Sequence, residues 1–358
     1  MKISIRMVDA LASVTALALA LGATGAANAA PIVGQLVPIA AYINTDHPFG
    51  LAYDSANNLI WYTRGDSGDN QVHSVKPFKD YTAAEIASMP LNADGVRLIR
   101  NGSGAVPTPG GQNDVGGVFT PAGPGGSGAG AHFSALAYDA STGKLVQTSS
   151  GSTVAYNPLT GASQAPVAGY GSGFADGLDT DGANKWFSPD AGDIFLNTVL
   201  FASSSNAAQR VTTATGSTIG NQGAGWSGVE QVGSDVFAVA VITGADVGRS
   251  RTIVRFDLAG NLVGFDPDGD PVAARWEDLA FDGQFLYAAD LRGNADAGLP
   301  GDTNIGDIYV FAVTGGLAVC GNPNQPACPG GGVPEPASLV LLAAGLIGLA
   351  AWRTRRPD

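Results

Sequence analysis

Four acidic residues in the second half of the chain have the clearest potential for chemistry. Asp176, Glu230, Glu277 and Asp278 lie in or just after short segments that resemble one another. Aligned on their Leu or Val, these segments place Asp176 and Glu277 at the same position. A fold that gathers the segments would bring the carboxylates together, either to bind a hard cation such as Ca²⁺ or Mg²⁺ or to act as an acid–base pair. The alternative is that each carboxylate only accepts hydrogen bonds from backbone amides.

Other kinds of catalytic or binding chemistry are poorly represented. The chain has 3 histidines, and none of them has the spacing of a metal motif, so a zinc hydrolase is not indicated. No G-x-S-x-G sequence marks the nucleophile of an α/β-hydrolase. With 18 basic against 31 acidic residues, the chain lacks the cationic surplus of a nucleic-acid-binding protein. We therefore expect no nucleic-acid partner.

The similar segments recur along the chain, and this recurrence is the strongest structural signal in the sequence. They begin at residues 49, 133, 174, 226 and 276, with spacings of 84, 41, 52 and 50 residues. Each is followed by a turn and a run rich in β-branched and aromatic residues, as in 59–62 and 285–287. Units of about 40–50 residues with about four short strands are typical of β-propeller blades.

We therefore predict an all-β fold, a β-propeller over residues 31–319. The first spacing covers about two units, so a degenerate unit near Val96–Ile99 would bring the number of blades to six. Residues Ile32–Tyr42 would close the ring by pairing with the last blade. A β-sandwich or a β-solenoid is the alternative fold.

Two segments depart from the strand pattern. Thr82 and Glu85 have the spacing of a capping box, which predicts the start of a short helix. Residues 101–130 contain 11 Gly and 4 Pro, which predicts a long flexible insertion in the second blade.

Residues 1–29 are predicted to be a signal peptide. Lys2 and Arg6 supply positive charge, Leu11–Leu21 is apolar, and Ala27 and Ala29 provide a small-x-small site for signal peptidase. The alternative is a retained membrane helix, although the apolar run is short for one.

The other end of the chain carries a second targeting feature. Residues 337–352 are uncharged and are followed directly by Arg353, Arg355 and Arg356. We predict a transmembrane helix over 337–352, with the arginines holding the C-terminus in the cytoplasm. A buried core helix is the alternative.

The apolar run follows a V-P-E-P sequence made of Val333, Pro334, Glu335 and Pro336. Together with the terminal arginines, this tail resembles the PEP-CTERM sorting signal of Gram-negative bacteria. The resemblance implies export across the inner membrane, recognition of the sorting signal 333–358 by an exosortase, cleavage near the motif, and release or attachment at the cell surface. Families with this tail are typically linked to exopolysaccharide and biofilm production.

A linker rich in Cys, Gly and Pro over residues 320–332 joins the predicted propeller to the tail. In an oxidising compartment, Cys320 and Cys328 are expected to form a small disulfide loop. A reactive thiol pair is the alternative.

Two blades also resemble known enzyme propellers. The sequence Ala175-Asp176-Gly177-Leu178 is similar to the P-D-G motif of gluconolactonase-like six-bladed propellers, which implies that Asp176 is a metal ligand. The segment 275–280 is similar to a blade of esterase-like phytases.

These observations leave two functions open. The preferred one is an exported, exosortase-processed binding protein of the cell envelope or extracellular matrix, with an extracellular polysaccharide, an ion or a protein as its ligand. The alternative is a divalent-metal-dependent lactonase or phosphoesterase at the mouth of the propeller channel. In that case Asp176 and Glu277 are the candidate catalytic residues, and Asp176, Glu277, Asp278 and Glu230 are the candidate ligands of a Ca²⁺ ion.

Overall fold

The computed structural model describes residues 36–43, 45, 47–64, 71–100, 134–149, 152–170, 175–180, 183–189, 192–203, 205–206, 209, 211–212, 218–219, 226–243, 251–265, 276–291 and 306–313. The predicted signal peptide, the insertion 101–130, Cys320, Cys328 and the segment 333–358 with its apolar run lie outside the described residues. Their predicted structures therefore stay predictions.

The described residues form five sheets in succession along the chain. The first sheet contains β2 (Pro48–Asp54), β3 (Leu59–Arg64) and β4 (His73–Val75). The second contains β6 (Leu136–Asp139), β7 (Lys144–Ser149), β8 (Ser152–Tyr156) and β9 (Ser163–Gln164). The third contains β10 (Ala175–Thr180), β11 (Lys185–Pro189), β12 (Ile194–Leu196) and β13 (Val199–Ala202).

The last two sheets contain more strands than the first three, and the fifth includes two strands from the N-terminal part of the chain. The fourth contains β16 (Trp226–Val232), β17 (Asp235–Thr243), β18 (Arg251–Asp257) and β19 (Leu262–Phe265), with β14 (Val211–Thr212) and β15 (Thr218–Ile219) joined to the end of β17. The fifth contains β20 (Trp276–Phe281), β21 (Phe285–Asp290) and β22 (Asp307–Val313), followed by β1 (Leu36–Ile43) and β5 (Arg97–Arg100).

The first strands of the five sheets form a closed ring. In the order β2, β6, β10, β16 and β20, each of these inner strands contacts the next, and β20 contacts β2 again. Each sheet extends outward from its inner strand and is one blade. The described residues are thus a five-bladed β-propeller, which confirms the predicted all-β propeller class.

The prediction of six blades is wrong. Residues Arg97–Arg100 do form a strand, but it pairs in parallel with β1 at the edge of the fifth blade. Between β4 and β5 lie a 3-10 turn (Phe78–Asp80) and the helix α1 (Ala83–Ser88). The long first spacing therefore contains a helix and an added edge strand where a second blade was expected.

The two remaining local predictions agree with the structure. Strand β1 pairs antiparallel with β22 from Leu36 to Tyr42, so the N-terminal strand closes the ring as predicted. The helix α1 begins with a complete capping box, in which Thr82 and Glu85 each accept a hydrogen bond from the other's backbone N–H.

Hydrophobic clusters hold neighbouring blades together, and one cluster lies between each pair of blades. Trp61 packs between the first and second blades, Phe187 between the second and third, and Trp186 between the third and fourth. Trp276 packs between the fourth and fifth, and Tyr287 lies in the cluster that joins the fifth blade to the first. Because burial of such side chains is favourable by about 1.5–3 kcal/mol each, the ring is closed by packing as well as by pairing.

The inner strands approach one another closely at the ends where they begin. A Cβ added at Gly50 would lie 2.2 Å from the carbonyl oxygen of Ser134, and one at Gly228 would lie 2.5 Å from the Cα of Asp278. At Gly177 the nearest atom, Gly228 Cα, would be 2.7 Å away. Glycine is required at these positions because backbone meets backbone there.

The Asp that ends several of the repeated segments has a local structural role. Asp54, Asp139 and Asp282 are buried and accept N–H groups from the turn that follows them. These are Asx turns, which join the inner strand of a blade to its second strand.

Candidate functional site

The side chain of Asp278 lies where inner strands converge on the propeller axis. Its carboxylate accepts N–H groups from Leu51 at 3.0 Å and from Leu279 at 2.9 Å, and also the N–H of Leu136. Three blades thus contribute donors to one fully buried carboxylate. Burial raises the pKa of Asp278, whereas the three backbone N–H groups act in the opposite direction.

The ends of the inner strands beyond Asp278 surround a cavity of about 260 Å³. We call this cavity the axial pocket. All five inner strands or the turns after them contribute to its wall, with side chains of contrasting chemistry. The lining residues are Leu51, Ala52, Tyr53, Ser55, Leu136, Ala137, Tyr138, Ala140, Leu178, Asp179, Thr180, Glu230, Gln231, Phe281, Asp282 and Gly283.

Two carboxyl groups, those of Asp179 and Glu230, lie side by side on the wall formed by the third and fourth blades. A hydrogen bond to Asp179 is among the causes that raise the pKa of Glu230. Asp179 already accepts N–H groups from Thr180 at 2.5 Å and from Gln231 at 2.7 Å. Glu230 is therefore the member of the pair that favours its protonated form.

The surroundings of Glu230 agree with this assignment. Burial is the main cause that raises its pKa well above the ordinary value, followed by the negative charges of Asp179 and Asp278. Only 8% of Glu230 is exposed, and its carboxyl group also accepts the N–H of Phe281. Asp179 and Glu230 thus form a buried acid pair in which the protonated form of Glu230 is favoured.

The side chains of Asp179, Glu230 and Asp278 also connect neighbouring blades. Asp179 of the third blade accepts an N–H from the fourth, Glu230 of the fourth accepts one from the fifth, and Asp278 of the fifth accepts one from the first. Each side chain therefore satisfies a backbone donor of the next inner strand. This arrangement fixes the carboxylates in place and orders the wall of the pocket.

The other three blades contribute aromatic residues to the lining of the axial pocket. Tyr53, Tyr138 and Phe281 come from the first, second and fifth blades. Burial and the nearby carboxylate of Asp54 raise the pKa of Tyr138 to about 12. Outside the lining, the ammonium group of Lys79 lies 4.2 Å from the centre of the Tyr53 ring and donates to Tyr53 Oη. The aromatic lining residues thus come from the three blades that do not carry the acid pair.

The inner strands begin at the other end of the axis, and Asp176 and Glu277 lie at that end. Ser227 stands between them: its Oγ lies 3.5 Å from Asp176 Oδ2 and donates to the carbonyl oxygen of Glu277 at 2.8 Å. All three residues are buried. In the part of the chain that the structure describes, no three His, Cys, Asp or Glu side chains are placed to hold a metal ion together.

The four acidic residues singled out from the sequence are therefore spread along the axis. Asp176 and Glu277 lie at one end, Asp278 lies between the ends, and Glu230 lines the axial pocket at the other. Ser227 and Glu230 are three residues apart on the same strand, and three residues along a strand span about 10 Å. The expected meeting of all four at one mouth does not occur, and the metal-binding and catalytic roles of these residues stay predictions.

Asp179 is the pocket residue that the sequence interpretation missed. Aligned on Leu or Val, the residue after it is Ala52, Ala137, Asp179, Glu230 and Ala280 in the five blades. Two carboxylates thus occupy a position that is otherwise Ala. That contrast is the signal that could have identified the acid pair.

Membrane association receives no support from the described part of the chain. No helix within it is both long enough and apolar enough to cross a membrane. The predicted span 337–352 lies outside those residues.

Comparison with known proteins identifies the C-terminal tail. Residues 332–356 match the PEP-CTERM protein-sorting motif, which confirms the resemblance of this segment. The motif implies export, a C-terminal sorting signal to the cell envelope, and processing by an exosortase. No curated protein matches the chain.

Solved structures show only distant similarity. The computationally designed Ika4 protein has a TM-score of 0.26 and 13% identity, covering 48% of this chain and 86% of its own. A chain of the nidogen/laminin complex has a TM-score of 0.33 and 10% identity, covering 68% and 72%. Hydrazine synthase of Kuenenia stuttgartiensis has a TM-score of 0.30 and 11% identity, covering 70% and 57%. Similarities this low carry no functional inference.

Proposed function

We propose that this protein is an envelope or matrix protein that binds a ligand in the axial pocket of its propeller. The C-terminal segment acts as the sorting signal, and the propeller acts as the binding module. The two parts are separate in sequence, because the pocket residues end at Gly283 and the sorting motif begins at residue 332.

The proposal rests on the mixed lining of the axial pocket. Aromatic residues from three blades and a buried acid pair from the other two line the same cavity. A concave site with aromatic walls and a few convergent polar groups is typical of small-ligand binding. Asp54, Asp139 and Asp282 accept N–H groups from turns, whereas Asp179 and Glu230 of the cavity lining accept N–H groups from neighbouring inner strands.

The separation of the two roles can be tested with two variants of the full chain in a host that carries an exosortase. One variant lacks residues 333–358, and the other carries Asp179→Asn together with Glu230→Gln. We expect the first to be exported but no longer retained at the envelope, with unchanged ligand binding. The second should be located like the wild type. Loss of envelope location in the pocket variant, with a normal melting temperature, would contradict the separation of roles.

Binding itself can be tested with a small panel of compounds that differ in charge. The exported protein is mixed with neutral monosaccharides, small amines and small carboxylates, and saturation-transfer NMR detects the compounds that bind. We expect at least one class to bind the wild type and to be lost in the pocket variant. If every compound that binds the wild type binds the pocket variant equally well, the axial pocket is not the binding site.

The metal-dependent lactonase or phosphoesterase remains the second candidate. Its support is the proximity of Asp176 to Glu277 through Ser227 at the other end of the axis. Carboxylate and carbonyl oxygens are suitable Ca²⁺ ligands. A calcium-dependent rise in melting temperature, tested in the Discussion, separates it from the binding proposal.

A further inference from the structure

The groups that face the axial pocket are rich in electrons. Among the described residues, its lining contains Asp179, Glu230 and Asp282 but no Lys, Arg or His side chain. Aromatic rings add a negative electrostatic potential at their faces. The carboxyl groups of the lining therefore favour a positive charge in the pocket over a negative one.

The backbone donors next to the carboxylates are already used. The N–H of Gln231 is bonded to Asp179, and the N–H of Phe281 is bonded to Glu230. Deeper in the ring, the N–H of Leu51 is bonded to Asp278. An anionic ligand would have to displace one of these intramolecular bonds, so a carboxylate or phosphate is a poor match for the site.

The aromatic residues of the lining distinguish an organic cation from a metal ion. Ca²⁺ takes 6–8 oxygen ligands, whereas three of the residues that line the pocket, Tyr53, Tyr138 and Phe281, are aromatic. Ring faces bind ammonium groups through cation–π interactions, and the effect is larger when the group is desolvated. The protein already uses this interaction at the rim, where the Lys79 ammonium lies 4.2 Å from the centre of the Tyr53 ring.

The size of the pocket limits the ligand further. A cavity of about 260 Å³ lies just below the range of about 300–1,000 Å³ that is usual for sites enclosing drug-sized ligands. A single small head group suits this volume better than a polymer chain does.

The geometry points to a small organic ammonium group as the ligand of the axial pocket, held between the three rings and the Asp179–Glu230 pair. This inference rests on the proposed binding function and names the chemistry of its ligand. A free quaternary ammonium compound and a lysine side chain of a partner protein are two sources of the same group.

A matched pair of probes tests the inference without altering the protein. Choline and 3,3-dimethyl-1-butanol have nearly the same shape, but only choline is charged. Titration calorimetry of the exported protein at pH 7 should show choline binding at least about 10-fold more tightly than the neutral alcohol. Equal affinity for choline and the alcohol, or binding of the alcohol alone, would overturn the inference. The proposed binding function would then stand, with a neutral compound as the ligand.

Two variants then locate the interaction. Phe281→Leu removes a ring but keeps an apolar side chain, and it should weaken choline binding about 3- to 30-fold. Asp179→Asn with Glu230→Gln removes the charge while each side chain keeps an acceptor oxygen, and it should weaken choline binding at least about 10-fold with little effect on the alcohol. Unchanged choline affinity in both variants, with normal melting temperatures, would place the ammonium site elsewhere.

A third probe distinguishes a free quaternary ammonium compound from a lysine side chain of a partner protein. N-acetyl-lysine methylamide presents a lysine side chain as it occurs in a protein. Tighter binding of this probe than of choline supports a partner protein, and the reverse order supports a free quaternary compound. If neither ammonium probe binds but neutral monosaccharides do, the inference fails while the proposed binding function stands.

Discussion

Replacement of Asp278 by Ala removes the carboxylate on which three inner strands converge. The N–H groups of Leu51, Leu136 and Leu279 would then be buried without their acceptor. Each such donor costs about 1–3 kcal/mol, so we expect the free energy of unfolding to fall by about 3 kcal/mol or more. Asp278→Asn keeps one acceptor oxygen and should cost less, about 1–2 kcal/mol.

The assay is denaturant unfolding of the exported protein followed by tryptophan fluorescence. Four tryptophans are fully buried in the blades and report loss of the ring: Trp61, Trp186, Trp226 and Trp276. Asp94 lies in an exposed turn, so Asp94→Ala is the control and should change stability by less than about 0.5 kcal/mol. If Asp278→Ala is as stable as this control, the carboxylate does not organise the axis and the reasoning is refuted.

Three further predictions follow from the ring, the acid pair and the metal alternative. Gly228→Ala would place a Cβ 2.5 Å from the Cα of Asp278, so it should lower the unfolding free energy by about 1–3 kcal/mol. The control Ala135→Gly, at the same position of the second blade, should lower it by no more than about 1 kcal/mol. Equal losses of stability in the two variants would contradict the close approach of the strands. Because the pKa of Glu230 is raised in the folded protein, folding takes up a proton. The unfolding free energy of the wild type, relative to that of Glu230→Gln, should therefore decline as pH rises from about 4.3 towards the raised pKa of Glu230. A difference between the two proteins that does not change with pH would contradict the raised pKa. The metal alternative predicts that Ca²⁺ at 100 times its Kd adds about 2.7 kcal/mol of stability, lost in Asp176→Asn, and an unchanged melting temperature in Ca²⁺ would contradict that alternative.

The propeller class could be predicted because its evidence is repeated along the chain. Each inner strand carries a similar segment, and its hydrophobic pattern is imposed by the same packing in every blade. The number of blades could not be obtained in the same way, because the strand near Val96–Ile99 has a β pattern whether it belongs to a blade or to an edge. Only the pairing of Arg97–Arg100 with β1 distinguishes these cases.

The candidate site was only partly predictable for a related reason. Alignment of the repeats placed Asp176 and Glu277 at the same position, and the structure does put them near Ser227. Position along the inner strand decides which end of the axis a residue occupies, and Glu230 lies three residues further along its strand than Ser227. Its partner Asp179 has no sequence motif of its own, since the pair exists only because neighbouring strands lie in register.

Ligand binding in the axial pocket is tested directly by a ¹⁵N–¹H NMR titration of the exported protein with choline. We expect the largest chemical-shift changes at the backbone amides of Tyr53, Gln231 and Phe281, which line the axial pocket. Shifts centred on Ser134 and Ser227, where the inner strands begin, would place binding at the opposite end of the axis and contradict the account.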